Sequence, residues 1–275
     1  MKIWEALIYG LVAGLTGLLP VSFSGHAAVL QDAFALSPLT QGGGLYVRAA
    51  ITLGLSAALV LAFPGELQLT CGELARRPQR GKRARQPSPR RRAVLMGLLA
   101  LPIGLLSLIW CAAAERITRL SLIAAFFCLN GLILFAAGRP GGQKDARALM
   151  LPDALLAGAT RLAAVLPGLS PFGLTLAVCR LRDLRTDFAL RFTAMLTLGF
   201  SLCEFVYRLL RAVIVGTFSA SLWLPMLVAL VASTVAGYFA LQYLKYLLHR
   251  EKLRIFSYYC WDAAVIALIL ALINA

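Results

Sequence analysis

The sequence predicts an all-α integral membrane protein with inverted-topology repeats, each one re-entrant helical hairpin followed by three transmembrane helices. Three observations carry that prediction. Apolar residues make up 60% of the 275 and charged ones only 14%, with a mean hydropathy of +0.80, which excludes a soluble globule with one core. An apolar stretch breaks at Pro20 in GLVAGLTGLLPVSFSGHAAVL (Gly10 to Leu30), and a similar break returns about 147 residues later at Pro167 in DALLAGATRLAAVLPGLSPFGLTLAVCRL. Each broken stretch is followed by three longer apolar runs.

The first hairpin covers residues 3-36, with arms of 17 residues (Ile3 to Leu19) and 11 residues (His26 to Leu36). A helix needs ~20 residues to cross the ~30 Å hydrocarbon core, so neither arm need span alone. Irregular backbone at membrane depth survives only where protein or a water-filled cavity covers it, which fits a re-entrant hairpin with a polar tip. After the Gly-rich link Gln41 to Gly44, spans are expected at 45-63, 93-113 and 119-138, completing a first repeat over 1-138. The second repeat, 152-275, holds the hairpin 152-182 and spans at 190-214, 222-246 and 256-274. An odd number of crossings per repeat inverts the second against the first and brings the two tips together near the midplane.

Charge sets the expected orientation. The loop 64-92 carries nine basic residues, and following the crossings puts 19 Lys and Arg on its side against four on the other. Basic excess marks the cytoplasmic face, so both termini are expected outside. The net charge of +15 therefore reads as membrane topology and contact with anionic lipid. Nucleic acid is not an expected partner, because no aromatic residues interleave the basic cluster as stacking platforms. The six cysteines form no CxxC or Cys/His pairing and read as small core residues. Lys2 and the run behind it do not read as a signal peptide, since they lead into the patterned hairpin without a small-x-small cleavage site. Trp4, Trp110, Trp223 and Trp261 fall near expected span ends.

The candidate site lies at the tips. Ser22, Ser24, Gly25 and His26 would face Gly168, Ser170, Gly173 and Thr175, gathering hydroxyls, an imidazole and free amides at helix starts, an arrangement suited to phosphate. His26 is the candidate catalyst. The same serines and glycines would also serve merely to pack helices and satisfy broken backbone. Within the fourth span Glu204 and Arg208 are four apart and can pair on one face. Asp262 is expected at an interface, and Arg161, costly at membrane depth, calls for a phosphate or carboxylate partner.

These motifs resemble those of the bacitracin-resistance type of undecaprenyl-diphosphate phosphatase. LTGLLPVSFSGH (Leu15 to His26) is similar to that family's first signature, roughly E-G-L-T-E-F-L-P-[VI]-S-S-[ST]-G-H, and LPGLSPFGLT (Leu166 to Thr175) to its second, P-G-x-S-R-S-G-x-T. ITLGLSAAL (Ile51 to Leu59), GLLALPIGLL (Gly97 to Leu106), ALRFTAML (Ala189 to Leu196) and LRIFSYY (Leu253 to Tyr259) extend the resemblance over nearly the whole chain. It implies a bacterial plasma-membrane enzyme, dependent on Mg or Ca, that removes the terminal phosphate of undecaprenyl diphosphate and so recycles the lipid carrier of cell-wall synthesis.

The departures from the signatures fall where the chemistry belongs. Ala13 and Gly17 stand at the two glutamates, Phe23 at the second serine and Pro171 at the arginine. Ser22, Ser24, His26, Ser170 and the tip glycines carry over; Glu204 or Asp262, and Arg161, are the substitutes the sequence offers. The expectation is therefore a midplane site for a polyprenyl (di)phosphate with weak or absent hydrolysis and a lipid-carrier role. An active phosphatase is the alternative, and a non-catalytic subunit of an envelope complex the third reading.

Overall fold

The computed structural model describes residues 1–65, 72, 88–139, 142–215 and 218–274. Cys71, Pro87 and the basic residues from Arg76 to Arg85 lie outside the described residues. Among the described residues the chain is helical: α1 Ile3–Gly17, α2 Phe23–Phe34, α3 Gly44–Ala62, α4 Pro89–Leu105, α5 Leu108–Ala114, α6 Leu120–Ala137, α7 Leu151–Ala164, α8 Pro171–Leu181, α9 Thr186–Val215, α10 Trp223–His249 and α11 Ile255–Ile273.

Both apolar stretches break at their prolines. Past Pro20 the chain turns at Ser22, held at φ 68°, a left-handed conformation uncommon outside glycine. Ser22 then caps α2, its Oγ accepting the Gly25 amide at 3.4 Å. In the second stretch Ser170 caps α8 by accepting the Gly173 amide at 3.0 Å, and Pro171 fills the first helical position, where the missing N–H costs nothing.

A carboxylate ties the two ends of each hairpin. Glu5, near the start of α1, accepts the Ser37 hydroxyl at 3.1 Å beyond the end of α2. Asp153, at the start of α7, accepts Arg182 Nε at 2.6 Å past the end of α8. Each pair therefore starts and finishes at the same end of the molecule.

Among the described residues four helices are long and apolar enough to cross a membrane: α3, α6, α11, and α10 with the short 3-10 turn before it. A fifth candidate is the pair α4 and α5, which departs from the single segment expected at 93-113 by bending 45° between Leu105 and Leu108. Pro102 lies inside α4, and a helical proline removes one ladder donor and crowds the preceding turn. The segment expected at 190-214 lies within the 30 residues of α9, which carries Asp187, Arg191, Glu204, Arg208 and Arg211 and so is not uniformly apolar. Glu204, Arg208 and Arg211 pair with charges on α7 and at the end of α5. The outer surface is apolar; Ile214, Phe239 and Leu272 are among many large side chains more than half exposed, as a lipid-facing belt requires.

Packing concentrates around the broken helices. α1 lies along α10 and α7 along α4; α10 also packs on α3 and α4 on α9; α3 meets α9, and α6 meets α11. Close approach is built in at Gly14, where a Cβ would stand 2.7 Å from the Gly237 amide nitrogen on α10. The largest apolar cluster runs from Leu18 and Val21 of the first hairpin through Phe172 and Leu176 of the second to Phe192 and Phe200 of α9.

Candidate functional site

The two tips touch, and two serines make the contact reciprocal. Ser22 Oγ, besides capping α2, accepts the amide of Gly168 in the other hairpin at 3.1 Å. Ser170 Oγ, besides capping α8, donates to the carbonyl of Leu19 at 3.2 Å. Asn130 of α6 bridges both breaks: its Nδ2 donates to the Pro20 carbonyl at 2.9 Å and its Oδ1 accepts the Ser170 amide at 3.0 Å. Gly25 permits the approach, since a Cβ there would lie 2.9 Å from the Gly168 backbone; Gly168, at φ 106°, itself takes a conformation that side chains disfavour. Gly173 packs as closely on Pro20, where a Cβ would come within 2.8 Å.

Hydrogen-bond logic fixes the protons. Ser22 Oγ accepts two amides, so its own proton goes to Ser24 Oγ at 3.3 Å, leaving the Ser24 hydroxyl hydrogen free. His26 Nδ1 lies 2.7 Å from the Ser22 carbonyl, which can only accept, so Nδ1 carries the proton. Nε2 of the neutral ring then accepts from the Tyr259 hydroxyl at 2.9 Å. The ring stacks on Tyr259 and meets Phe127 edge-on, which places it between α6 and α11. Thr175 turns to α7, where its hydroxyl meets that of Thr160 at 2.9 Å.

Beside the tips a cavity of about 120 Å³ opens among α1, α2, α3, α5, α7, α8 and α9. Gly17, Phe23, Ser24 and Pro171 line it from the hairpins, so the first turns of both α2 and α8 open into it and their helix dipoles favour negative charge there. His26 is not among the lining residues, and Ala13 is buried in an apolar cluster with Ala6, Tyr9 and Ala229.

The polar wall of the cavity is an alternating chain of charges. Arg161 donates to Glu204 Oε2 at 2.7 Å, Arg208 to Glu204 Oε1 at 2.6 Å and to Glu115 Oε1 at 2.8 Å, and Arg48 stands 3.2 Å from Glu115 Oε1. Arg211, behind the wall, pairs with Glu115 Oε2. The Glu204–Arg208 pair is legible from spacing alone, and Arg161 has a carboxylate partner, but Glu115, Arg48 and Asn130 were not singled out. Glu115 and Arg48 sit at span ends and read as ordinary interfacial charge. The available signal was Asn130, an amide inside an otherwise apolar run. Asp262 is exposed on α11, away from the cavity.

A divalent cation does not fit these residues. Mg and Ca take oxygen ligands, carboxylates first, and all four carboxylate oxygens of Glu115 and Glu204 already accept from arginine. Among the described residues no three His, Cys, Asp or Glu side chains cluster as a metal would require. What the arrangement offers is donors: guanidinium forks, a Ser24 hydroxyl hydrogen and two helix starts, groups of the kind that attract negative charge. Of the described cysteines, Cys111, Cys179 and Cys260 are buried, Cys203 half-buried and Cys128 exposed, and these five are unpaired.

Comparison with known proteins gives a consistent result. The chain is 31% identical to an undecaprenyl-diphosphatase of Methanobrevibacter smithii over 97% of its own length and 96% of that protein's. It is also 31% identical to the undecaprenyl-diphosphatase of Carboxydothermus hydrogenoformans over 98% of each, and 30% identical to that of Kineococcus radiotolerans over 100% of this chain and 96% of the other. The family described as bacitracin resistance protein BacA matches residues 6–266. A multi-pass membrane protein of helices, with its two proline-broken stretches joined at their tips, this chain belongs to the BacA, or undecaprenyl-diphosphatase, family.

Proposed function

We propose that this chain acts on a polyprenyl diphosphate in the plasma membrane and removes its terminal phosphate, in the line of work that recycles the lipid carrier of cell-wall sugars. The observation that carries the reading is the cavity at the hairpin tips, where Ser24 and three arginines, Arg48, Arg161 and Arg208, converge. Whole-length similarity to proteins named undecaprenyl-diphosphatase supports it. In the reaction a water oxygen bonds to the terminal phosphorus, the bond to the bridging oxygen breaks, and the proton shed by the water ends on the released phosphate, which leaves the lipid monophosphate behind. Charge on the phosphoryl oxygens grows along this path, and preorganised guanidinium groups stabilise it, a kind of contribution worth ~10²- to 10³-fold in rate per donor. Ser24 is the hydroxyl donor to a phosphoryl oxygen. His26 does not line the cavity and spends both ring nitrogens on Ser22 and Tyr259, so its part is to position the turn that carries Ser24.

A second reading is retention or transfer of the lipid phosphate without hydrolysis. Its support is specific: the cavity wall offers Gly17, Phe23 and Pro171 where the family's signatures hold a glutamate, a serine and the arginine, and no carboxylate free to take a proton from water. The exchange of packing partners, α1 with α10 against α7 with α4, supports an inverted-repeat organisation of the kind carriers use. The excess of Lys and Arg supports a cytoplasmic loop 64-92 and external termini, which cysteine-accessibility labelling would test.

Phosphate release from undecaprenyl diphosphate by the purified protein in detergent, beside Ser24→Ala and His26→Ala variants, decides between the readings. Release that falls in both variants supports the phosphatase. Absence of release from protein that still binds the lipid leaves the carrier.

A further inference from the structure

The charge in the cavity is arranged for an anion alone. Three arginines, Arg48, Arg161 and Arg208, line it with two glutamates, a formal surplus of one positive charge in a site enclosed by membrane helices, while Arg211 pairs with Glu115 from outside the cavity. Buried charge without compensation is costly there, and a diphosphate more than offsets the surplus. The geometry also leaves donors spare. Arg208 sits between the glutamates and bonds both, whereas Arg161 spends one terminal nitrogen on Glu204 and rests over the Phe200 ring at 5.1 Å, and Arg48 approaches Glu115 alone. A guanidinium has five N–H groups, so most of those on the two outer arginines remain for a ligand. Arg161 and Arg48 therefore flank Arg208 at opposite ends of the chain of charges, and each can take one phosphoryl group.

We propose that the cavity holds the diphosphate of its lipid with guanidinium groups alone, Arg48 and Arg161 gripping the two phosphoryl groups with no divalent cation between them. The inference rests on the reading of this chain as a polyprenyl-diphosphate protein. The arginines here occupy the role that metal fills in a carboxylate-lined phosphate site, and the glutamates serve to space them.

The test is equilibrium binding of two probes, farnesyl diphosphate and inorganic pyrophosphate, to the purified full chain in detergent, in EDTA and again with Mg²⁺. The expected affinity for both is the same within about twofold with and without the metal. Arg48→Gln and Arg161→Gln each weaken binding roughly tenfold or more, the loss of a charge-assisted contact. Arg211→Gln, which shares Glu115 but stands outside the cavity, changes it by less than about twofold. Glu115 keeps Arg208 and Arg211 in the first variant, and Glu204 keeps Arg208 in the second, so the fold should hold; melting in detergent verifies it. Should either fail to fold, Arg48→Lys and Arg161→Lys keep the charge without the fork and should lose a smaller part of the affinity.

Binding that requires Mg²⁺, affinity unchanged in both cavity variants, or an equal loss in Arg211→Gln would each overturn the proposal. Binding of pyrophosphate with farnesyl diphosphate excluded would overturn the lipid as its ligand. Phosphate release is read separately. Metal-free binding without release sinks the phosphatase and keeps the clamp, while metal-dependent release with binding lost in EDTA sinks the clamp and keeps the phosphatase.

Discussion

Ser22 and Ser170 perform the same two tasks in opposite hairpins: each caps the helix that follows it, and each reaches across to the backbone of the other break, Ser22 to the Gly168 amide and Ser170 to the Leu19 carbonyl. The joint closes a gap of 146 residues in sequence and fixes the wall of the adjoining cavity. Both serines are fully buried, so their hydroxyls have no water to fall back on.

Ser22→Ala leaves the buried amide of Gly168 without its acceptor and removes a helix cap. The expected loss is about 1–3 kcal/mol of stability. A thermal melt in detergent that matches the parent protein would count against the joint as a structural tie.

Asn130→Leu matches the side chain in size but orphans the Ser170 amide and leaves the Pro20 carbonyl only the weak Cys260 thiol donor at 3.8 Å. Each buried group so deprived costs about 1–3 kcal/mol, so this variant should melt lower than Ser22→Ala. Comparing the two melts checks the ranking.

Gly25→Ala drives a Cβ against the Gly168 backbone, which cannot yield as a flexible side chain would. Overpacking of this kind costs about 1–3 kcal/mol and here separates the tips. Reduced stability together with weakened binding of farnesyl diphosphate is the expected outcome, read by melting and calorimetry.

Gly17→Glu places a carboxylate on the cavity wall, where a Cβ would meet only the end of the Leu55 side chain at 3.0 Å. Negative charge a few ångströms from the ligand repels it, so pyrophosphate affinity measured in EDTA should fall at least about tenfold. Added Mg²⁺ should restore part of it, because the new carboxylate is the one oxygen pair in the wall without an arginine. Insensitivity to both EDTA and Mg²⁺ would show that the side chain points elsewhere.

Arg208→Leu removes the residue that bonds both glutamates. Losing one partner of a buried ion pair costs about 3–5 kcal/mol, so this variant should be the least stable of the arginine replacements, below Arg48→Gln and Arg161→Gln on a melting scale.

Much of this was legible in the sequence because it is local. The prolines and the Ser-Gly runs marked both breaks, since a proline ends a helix and a serine starts the next one whatever surrounds them. The four-residue spacing of Glu204 and Arg208 gave their pairing. The carboxylates that tie the hairpin ends, Glu5 and Asp153, were not legible, because their partners are set by where the return arm finishes. Nor was the bend between Leu105 and Leu108, hidden within a run apolar enough to read as one straight span.

The sequence by itself determined a helical membrane protein with two broken segments and its family, because hydrophobic length, helix breakers and motif order are properties of neighbouring residues. Only the tertiary structure decided what the tip residues do. It made Ser22 and Ser170 into ties, set His26 against Tyr259 between α6 and α11, and gathered Arg48, Glu115, Arg161, Glu204 and Arg208, from four different parts of the chain, around one cavity. A charge at a span end and a charge in a cavity look alike in one dimension; burial and the approach of distant helices distinguish them.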